Sequence, residues 1–153
     1  MRRSCKVYGA VSVNGTAPKF HFRFEEDKFN AYSFVTFLEG VIRYYKKRGQ
    51  KVHMVVDGAK YHRTALLWIA NNAADDIELH FLPAYSPNLN LIERLGKFVR
   101  KQCLYSHYYA DFPSFKTAIS TCLNQASTTH KAALDSLLTL RFQRFKKVHF
   151  VPV

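Results

Sequence analysis

The chain has 153 residues, 48% of them apolar, and a formal net charge of +12 with a pI near 9.8. That length and apolar content suit one compact domain with a real core and exclude global disorder. No run of 18 or more uncharged apolar residues exists, so no membrane span is expected, and Met1 to Lys6 is not followed by a signal-type apolar stretch.

Cytoplasmic residence is the default. Cys5, Cys103 and Cys122 are odd in number, widely spaced and without a CxxC pair, so reduced thiols are expected rather than a disulfide framework or a zinc site. The charge favours an acidic partner, with nucleic acid the usual one. It is clustered: Arg43, Lys46, Lys47, Arg48 and Lys51; then Arg94, Lys97, Arg100 and Lys101; then Arg141, Arg144, Lys146 and Lys147. Any single cluster reads equally well as a solvated helix face. Three together, with few acids, tilt toward a polyanion.

In chain order, Cys5 to Val13 predicts a strand ending at the Asn14-Gly15 turn signal. Lys19 to Phe24 alternates strictly and predicts a second strand with one aromatic face, forming a hairpin with the first. Glu25-Glu26-Asp27 reads as an acidic turn, and Asn30 is placed to cap the helix predicted over Ala31 to Arg48. Gly49 stops that helix. Val52 to Val56 predicts a short strand broken by Asp57-Gly58. A helix follows over His62 to Asn71, a strand over Ile77 to Leu82, and a loop with two prolines over Pro83 to Asn90. Leu91 to Cys103 has helical apolar spacing, and Pro113 to about Leu140 predicts one or two helices. A hairpin followed by alternating helices and strands implies a mixed sheet with flanking helices, although topology alone does not decide the fold family.

Two carboxylates stand out. Asp57 follows a strand at its C-terminal end, where open α/β sheets gather functional side chains. A plain Asp-Gly turn explains it as well. Glu93 sits three residues after Asn90, the spacing of a capping box, and four before Lys97, the spacing of a helix-surface ion pair. It lies away from Leu91, Leu95 and Phe98. A structural cap and a metal ligand both fit that pattern.

The block Leu82-Pro83-Ala84-Tyr85-Ser86-Pro87-Asn88-Leu89-Asn90-Leu91-Ile92-Glu93 resembles the signature of the DDE superfamily endonucleases, in the bacterial insertion-sequence branch related to mariner transposases. Nine of its twelve positions match Leu-Pro-Pro-Tyr-Ser-Pro-Glu-Leu-Asn-Pro-Ile-Glu. Asp57-Gly58-Ala59-Lys60-Tyr61-His62 is similar to the family's Asp-Asn-Ala-x-x-His, and the gap from Asp57 to Glu93 is close to the family's spacing. The resemblance implies an RNase H-like α/β fold and a transposase that cuts and joins transposon-end DNA. It implies two Mg²⁺ (or Mn²⁺) ions held by three carboxylates, of which Asp57 would be the second and Glu93 the third. His62 is expected to contact DNA or support the site, although a packed or surface role suits it at least as well. Asn90 would cap the helix and orient Glu93. Tyr85 and Ser86 would shape the loop, and Arg94, Lys97, Arg100 and Lys101 would face DNA.

The sequence departs from the pattern in places. Leu91 replaces a proline, Gly58 an asparagine, Asn88 an acid, and Gly96 a large residue at about 1 kcal/mol of helix propensity relative to Ala. There is no acid before Glu25, whereas the family's first Asp lies on the strand before the one predicted over Cys5 to Val13. The resemblance therefore implies a single partial catalytic domain over residues 1–153, lacking the first strand, with a helical portion from about residue 113. Alone it is expected to be inactive or very weak. Expected partners are DNA, a full-length transposase or a separately supplied N-terminal segment, and a second copy of the chain; the expected location is the cytoplasm, at the nucleoid. The alternative is a non-catalytic DNA-binding module, or a residual fold, that interferes with a full-length transposase.

Overall fold

The computed structural model describes residues 4–13, 18–26 and 28–140. The Asn14-Gly15 turn, Asp27 and the basic cluster at Arg141, Arg144, Lys146 and Lys147 lie outside the described residues.

Strands β1 (Lys6–Ser12) and β2 (Lys19–Glu25) form the expected antiparallel hairpin, with Gly9 opposite Phe22 and Val11 opposite Phe20. Helix α1 (Ala31–Lys46) begins with a capping box. Asn30 Oδ1 accepts from the Ser33 amide at 2.9 Å, and Ser33 Oγ accepts from the Asn30 amide at 3.1 Å. The helix ends two residues before the expected Arg48, in a turn closed by Gly49 at φ +67°, a left-handed position that suits glycine.

Strand β3 (Val52–Val56), helix α2 (Lys60–Asn72) and strand β4 (Ile77–Phe81) make a βαβ unit, with β3 and β4 parallel. A single 3₁₀ turn at Pro87–Leu89 interrupts the proline loop. Helices α3 (Leu91–Cys103), α4 (Phe112–Asn124) and α5 (Lys131–Leu137) follow.

The α/β architecture, with antiparallel and parallel pairing and flanking helices, is that of an RNase H-like fold. The pairing is divided, however. β1–β2 and β3–β4 form two separate two-stranded sheets. They nevertheless share a core. Tyr8 from β1 packs with Phe34, Phe37 and Leu38 of α1, Val56 of β3, Ala65 and Ile69 of α2, and Ile77 of β4. Tyr8 is 6% exposed, and its hydroxyl shares a 2.7 Å hydrogen bond with Ser33 Oγ.

The period of two along β1 gives its faces different partners. Tyr8 and Ala10 face the first core. Val11, with Phe20 and Phe22 of β2, faces a second core built on Leu91 and Leu95 of α3 and Leu134 of α5. Gly9 lies under α3: a Cβ there would stand 3.1 Å from Ile92 Cδ1. The glycine thus lets the start of α3 approach β1 closely, next to Glu93.

Cys103 and Cys122 are buried, Cys5 is half-buried, and all three are free thiols as expected. Burial, with Cys103 as neighbour, pushes the Cys122 thiol up to about 12, so it stays protonated and inert. Among the described residues, no helix is long and apolar enough to cross a membrane.

Candidate active site

Because β3 and β4 run parallel, their C-terminal ends lie at the same edge. Val56 pairs with Phe81, and the Leu82 amide donates to the Val56 carbonyl at 2.8 Å. Asp57 leaves β3 at this edge just where the loop to α3 leaves β4.

The Asp57 side chain is about half exposed, at 55%. Its Oδ1 accepts from the Ala59 amide at 3.0 Å, a turn bond of the kind Asp-Gly sequences favour. The same oxygen lies 2.9 Å from His62 Nδ1, which is also 3.1 Å from the Asp57 carbonyl. Both neighbours of Nδ1 are acceptors, so Nδ1 carries the hydrogen. Among the described residues, Oδ2 takes no hydrogen bond or ion pair. The turn reading of Asp57 is thus correct for one oxygen and leaves the other open. Asp57 also precedes the first turn of α2, where the helix dipole favours a negative charge.

His62 is 8% exposed and packs against Phe34 and Tyr61, with ring centroids 4.5 and 4.4 Å away. It is a packed residue that also grips Asp57. Tyr61 stands beside it, its hydroxyl pushed up from its ordinary value by burial, then by Tyr8 and Asp57. Arg63 lies over the Phe81 ring, 4.8 Å from the centroid, near the Gly58 turn. No pattern in the sequence marks Arg63 as part of this edge; it follows from the pairing of β3 with β4.

Glu93 is the third residue of α3 and is exposed. The capping box that the Asn90 to Glu93 spacing allows does not form. Asn90 caps the helix as expected, but its side chain accepts from Ile92 at 3.3 Å, and Glu93 only donates its amide to the Asn90 carbonyl. The Glu93 carboxylate returns no bond to Asn90 and makes no ion pair with Lys97 among the described residues. The two structural roles that competed with a ligand role are therefore not filled.

In the loop between the two carboxylates, Tyr85 is fully exposed and has φ +57°, a left-handed conformation uncommon for a bulky residue. Such strain concentrates at functional loops. Ser86 Oγ donates weakly to the Ala84 carbonyl at 3.4 Å.

The basic residues of α3 divide. Arg94 Nη1 donates to the carbonyls of Leu137 and Thr139 at 3.2 and 3.0 Å, which ties α3 to the end of α5. Arg100 folds back onto the Gly96 carbonyl at 3.3 Å. Lys97 and Lys101 are exposed on the same helix. In the first basic cluster, Lys46 pairs with Asp76 at 3.2 Å, Lys51 with Glu78 at 3.8 Å, and Arg48 stacks on Tyr44.

Asp57 Oδ2 and the Glu93 carboxylate are hard oxygen donors at accessible positions, the chemistry Mg²⁺ and Mn²⁺ take. No set of three metal-ligating side chains among the described residues includes either of them.

The α/β fold thus carries one candidate carboxylate, Asp57, just after β3 and another, Glu93, in the first turn of the helix that follows the β4 loop. Residues 1–116 match the family model for the DDE superfamily endonuclease, and the match runs from the N-terminus into α4. The chain belongs to that family. Neither a curated protein nor a solved structure was found to match it.

Proposed function

We propose that the chain contributes to metal-dependent cutting and joining of DNA in the manner of a transposase, with Asp57 and Glu93 as two of three metal-holding carboxylates. The observation that carries this reading is Glu93: an exposed carboxylate at a helix start, with no cap or ion-pair role among the described residues, separated by thirty-five residues from a strand-end aspartate that keeps one oxygen open. The twelve-residue block ending at Glu93 favours the bacterial insertion-sequence branch related to mariner transposases. Transposon-end DNA is then the substrate.

When bound, two divalent ions would activate the attacking hydroxyl and steady the leaving oxygen of an in-line displacement. The chain's own residues prepare for this. Asp57 presents Oδ2 while Ala59 and His62 hold Oδ1, which fixes the carboxylate's rotation. Asn90 starts α3 so that Glu93 faces away from the apolar core. Tyr85, held out by its strained backbone, is placed to stack on a base or sugar. Lys97 and Lys101 supply charge toward the phosphate backbone.

The third carboxylate is proposed to come from a segment outside these 153 residues. The test is nicking of supercoiled and transposon-end DNA in Mg²⁺ or Mn²⁺, with and without an added N-terminal segment bearing a strand and an aspartate. The expected result is little cleavage by the lone chain, cleavage on addition, and loss in Asp57→Ala and Glu93→Gln. Cleavage by the lone chain that survives Asp57→Ala defeats the reading.

The net charge of +12 favours a second reading: a non-catalytic DNA-binding module that interferes with a full-length transposase. It predicts steeply salt-dependent DNA binding with no cleavage under any supplementation.

A further inference from the structure

The α1–α2 side of the β3–β4 ladder is covered, with Val52, Met54, Val56, Ile77, Leu79 and Phe81 turned into the core. The opposite side is open. It carries His53, Val55, Glu78 and His80, all exposed. His53 stands opposite Glu78 in the register, and His80 is two residues along from Glu78 on the same side. The ladder thus brings three ligand-bearing side chains together. His53 Nδ1 lies 3.0 Å from His80 Nε2, His53 Nδ1 is 3.9 Å from Glu78 Oε2, and His80 Nε2 is 3.8 Å from Glu78 Oε1. One donor atom from each side chain lies within 4.8 Å of the other two.

We propose that His53, Glu78 and His80 form a binding site for a transition-metal ion of the Zn²⁺ type, separate from the carboxylate site at Asp57 and Glu93. The donor set decides the metal class. Two imidazoles and one carboxylate suit Zn²⁺, Co²⁺ or Ni²⁺, whereas Mg²⁺ prefers oxygen alone. The dimensions agree. Metal–nitrogen bonds of about 2.0–2.1 Å in a tetrahedron put neighbouring ligand atoms roughly 3.3 Å apart. The three observed separations bracket that value, so closing on an ion needs only side-chain rotations on a fixed backbone.

Three protein ligands leave a coordination position for water or an anionic oxygen. Lys51, whose Nζ is 3.8 Å from Glu78 Oε2, is the resident cation that an ion would displace. A bound ion would bridge β3 to β4, the parallel pair from which Asp57 emerges, and so stabilise it by mass action.

The experiment uses the full chain. Co²⁺ titration is followed by visible absorption, Zn²⁺ affinity by competition with a chromophoric chelator, and stability by thermal unfolding with and without Zn²⁺. One equivalent of Zn²⁺ is expected, with an intense four- or five-coordinate Co²⁺ spectrum and a raised Tm. His53→Ala and His80→Ala should each weaken Zn²⁺ by at least about tenfold, a loss already typical of disturbing a ligand's supporting partner. Glu78→Gln should do likewise. These side chains are exposed, so metal-free melting and far-UV circular dichroism should match the wild type. The Asp57→Asn/Glu93→Gln double variant should keep both the Zn²⁺ affinity and the Co²⁺ spectrum, which separates this site from the proposed nuclease site. Absence of Zn²⁺ uptake by the wild type, or uptake unchanged in His53→Ala/His80→Ala, overturns the proposal. So does uptake lost with Asp57 and Glu93 instead.

Discussion

His62 Nδ1 and Asp57 Oδ1 are 2.9 Å apart, and the histidine is buried while the carboxylate it holds is half exposed. The bond therefore links the packed interior of α2 to an open oxygen at the end of β3. A hydrogen bond to one oxygen of a ligating carboxylate orients the other. Losing such a partner typically costs 10–100-fold in metal affinity. His62→Ala should weaken Mn²⁺ binding at Asp57 by about that factor. It should also destabilise the fold by roughly 1–3 kcal/mol, through a lost buried contact and a lost bond. Mn²⁺ titration and a urea melt on the same sample measure both. Unchanged Mn²⁺ binding at full occupancy of the folded state would remove His62 from the site.

Glu93 and Asn90 make a paired test of cap against ligand. Asn90 caps α3 through the Ile92 amide, so Asn90→Ala should cost about 1 kcal/mol. Glu93 makes no side-chain bond among the described residues, so Glu93→Gln should change stability by no more than about 0.5 kcal/mol. In the supplemented enzyme, Glu93→Gln should abolish cleavage while Asn90→Ala only reduces it. A Glu93→Gln variant that loses stability like Asn90→Ala would return Glu93 to a structural role.

Much of this was legible in the residues. The short apolar run Val52 to Val56 and the helical apolar spacing of Leu91 to Cys103 match β3 and α3 residue for residue. The Asn30 cap was equally plain. These are local signals, and local chemistry decides them. What the sequence hid is mostly non-local. The Asn90 to Glu93 spacing is right for a capping box, yet the side chain bonds one residue earlier. Arg94 reads as one cation in a basic cluster, but its carbonyl partners are 43 and 45 residues away. His53, Glu78 and His80 meet only because β3 pairs with β4 in one register, and no pattern in either strand fixes that register. The division of the expected mixed sheet into two pairs is likewise a matter of which edges meet.

His21 gives the fold an acid-sensitive point. It lies in β2 with its Nε2 3.1 Å from the Tyr45 hydroxyl. Burial lowers its pKa from 6.5, and the nearby Lys19 and Arg48 lower it further. The unfolded chain therefore binds this proton more readily than the folded one. The stability tied to neutral His21 is complete above pH 6.5 and is lost as pH falls from there through the depressed folded value. His21→Gln should flatten the decline in stability just below pH 6.5. Urea midpoints for both proteins between pH 8 and pH 5 would show this, and parallel curves would refute it.

The two kinds of cation on α3 should respond oppositely to removal. Arg94 bonds carbonyls at the end of α5, so Arg94→Ala removes one exposed and one part-buried hydrogen bond and should cost about 1 kcal/mol. Lys97 and Lys101 are exposed, one helical turn apart, and make no ion pair among the described residues. Replacing either with Gln should leave stability within about 0.5 kcal/mol. If α3 lies along DNA, each replacement should also lower the slope of log affinity against log salt by about one, because each lysine releases one condensed counterion. Fluorescence anisotropy with labelled duplex across a salt series gives the slopes. Slopes unchanged in Lys97→Gln/Lys101→Gln would turn the DNA away from this helix and toward another basic face.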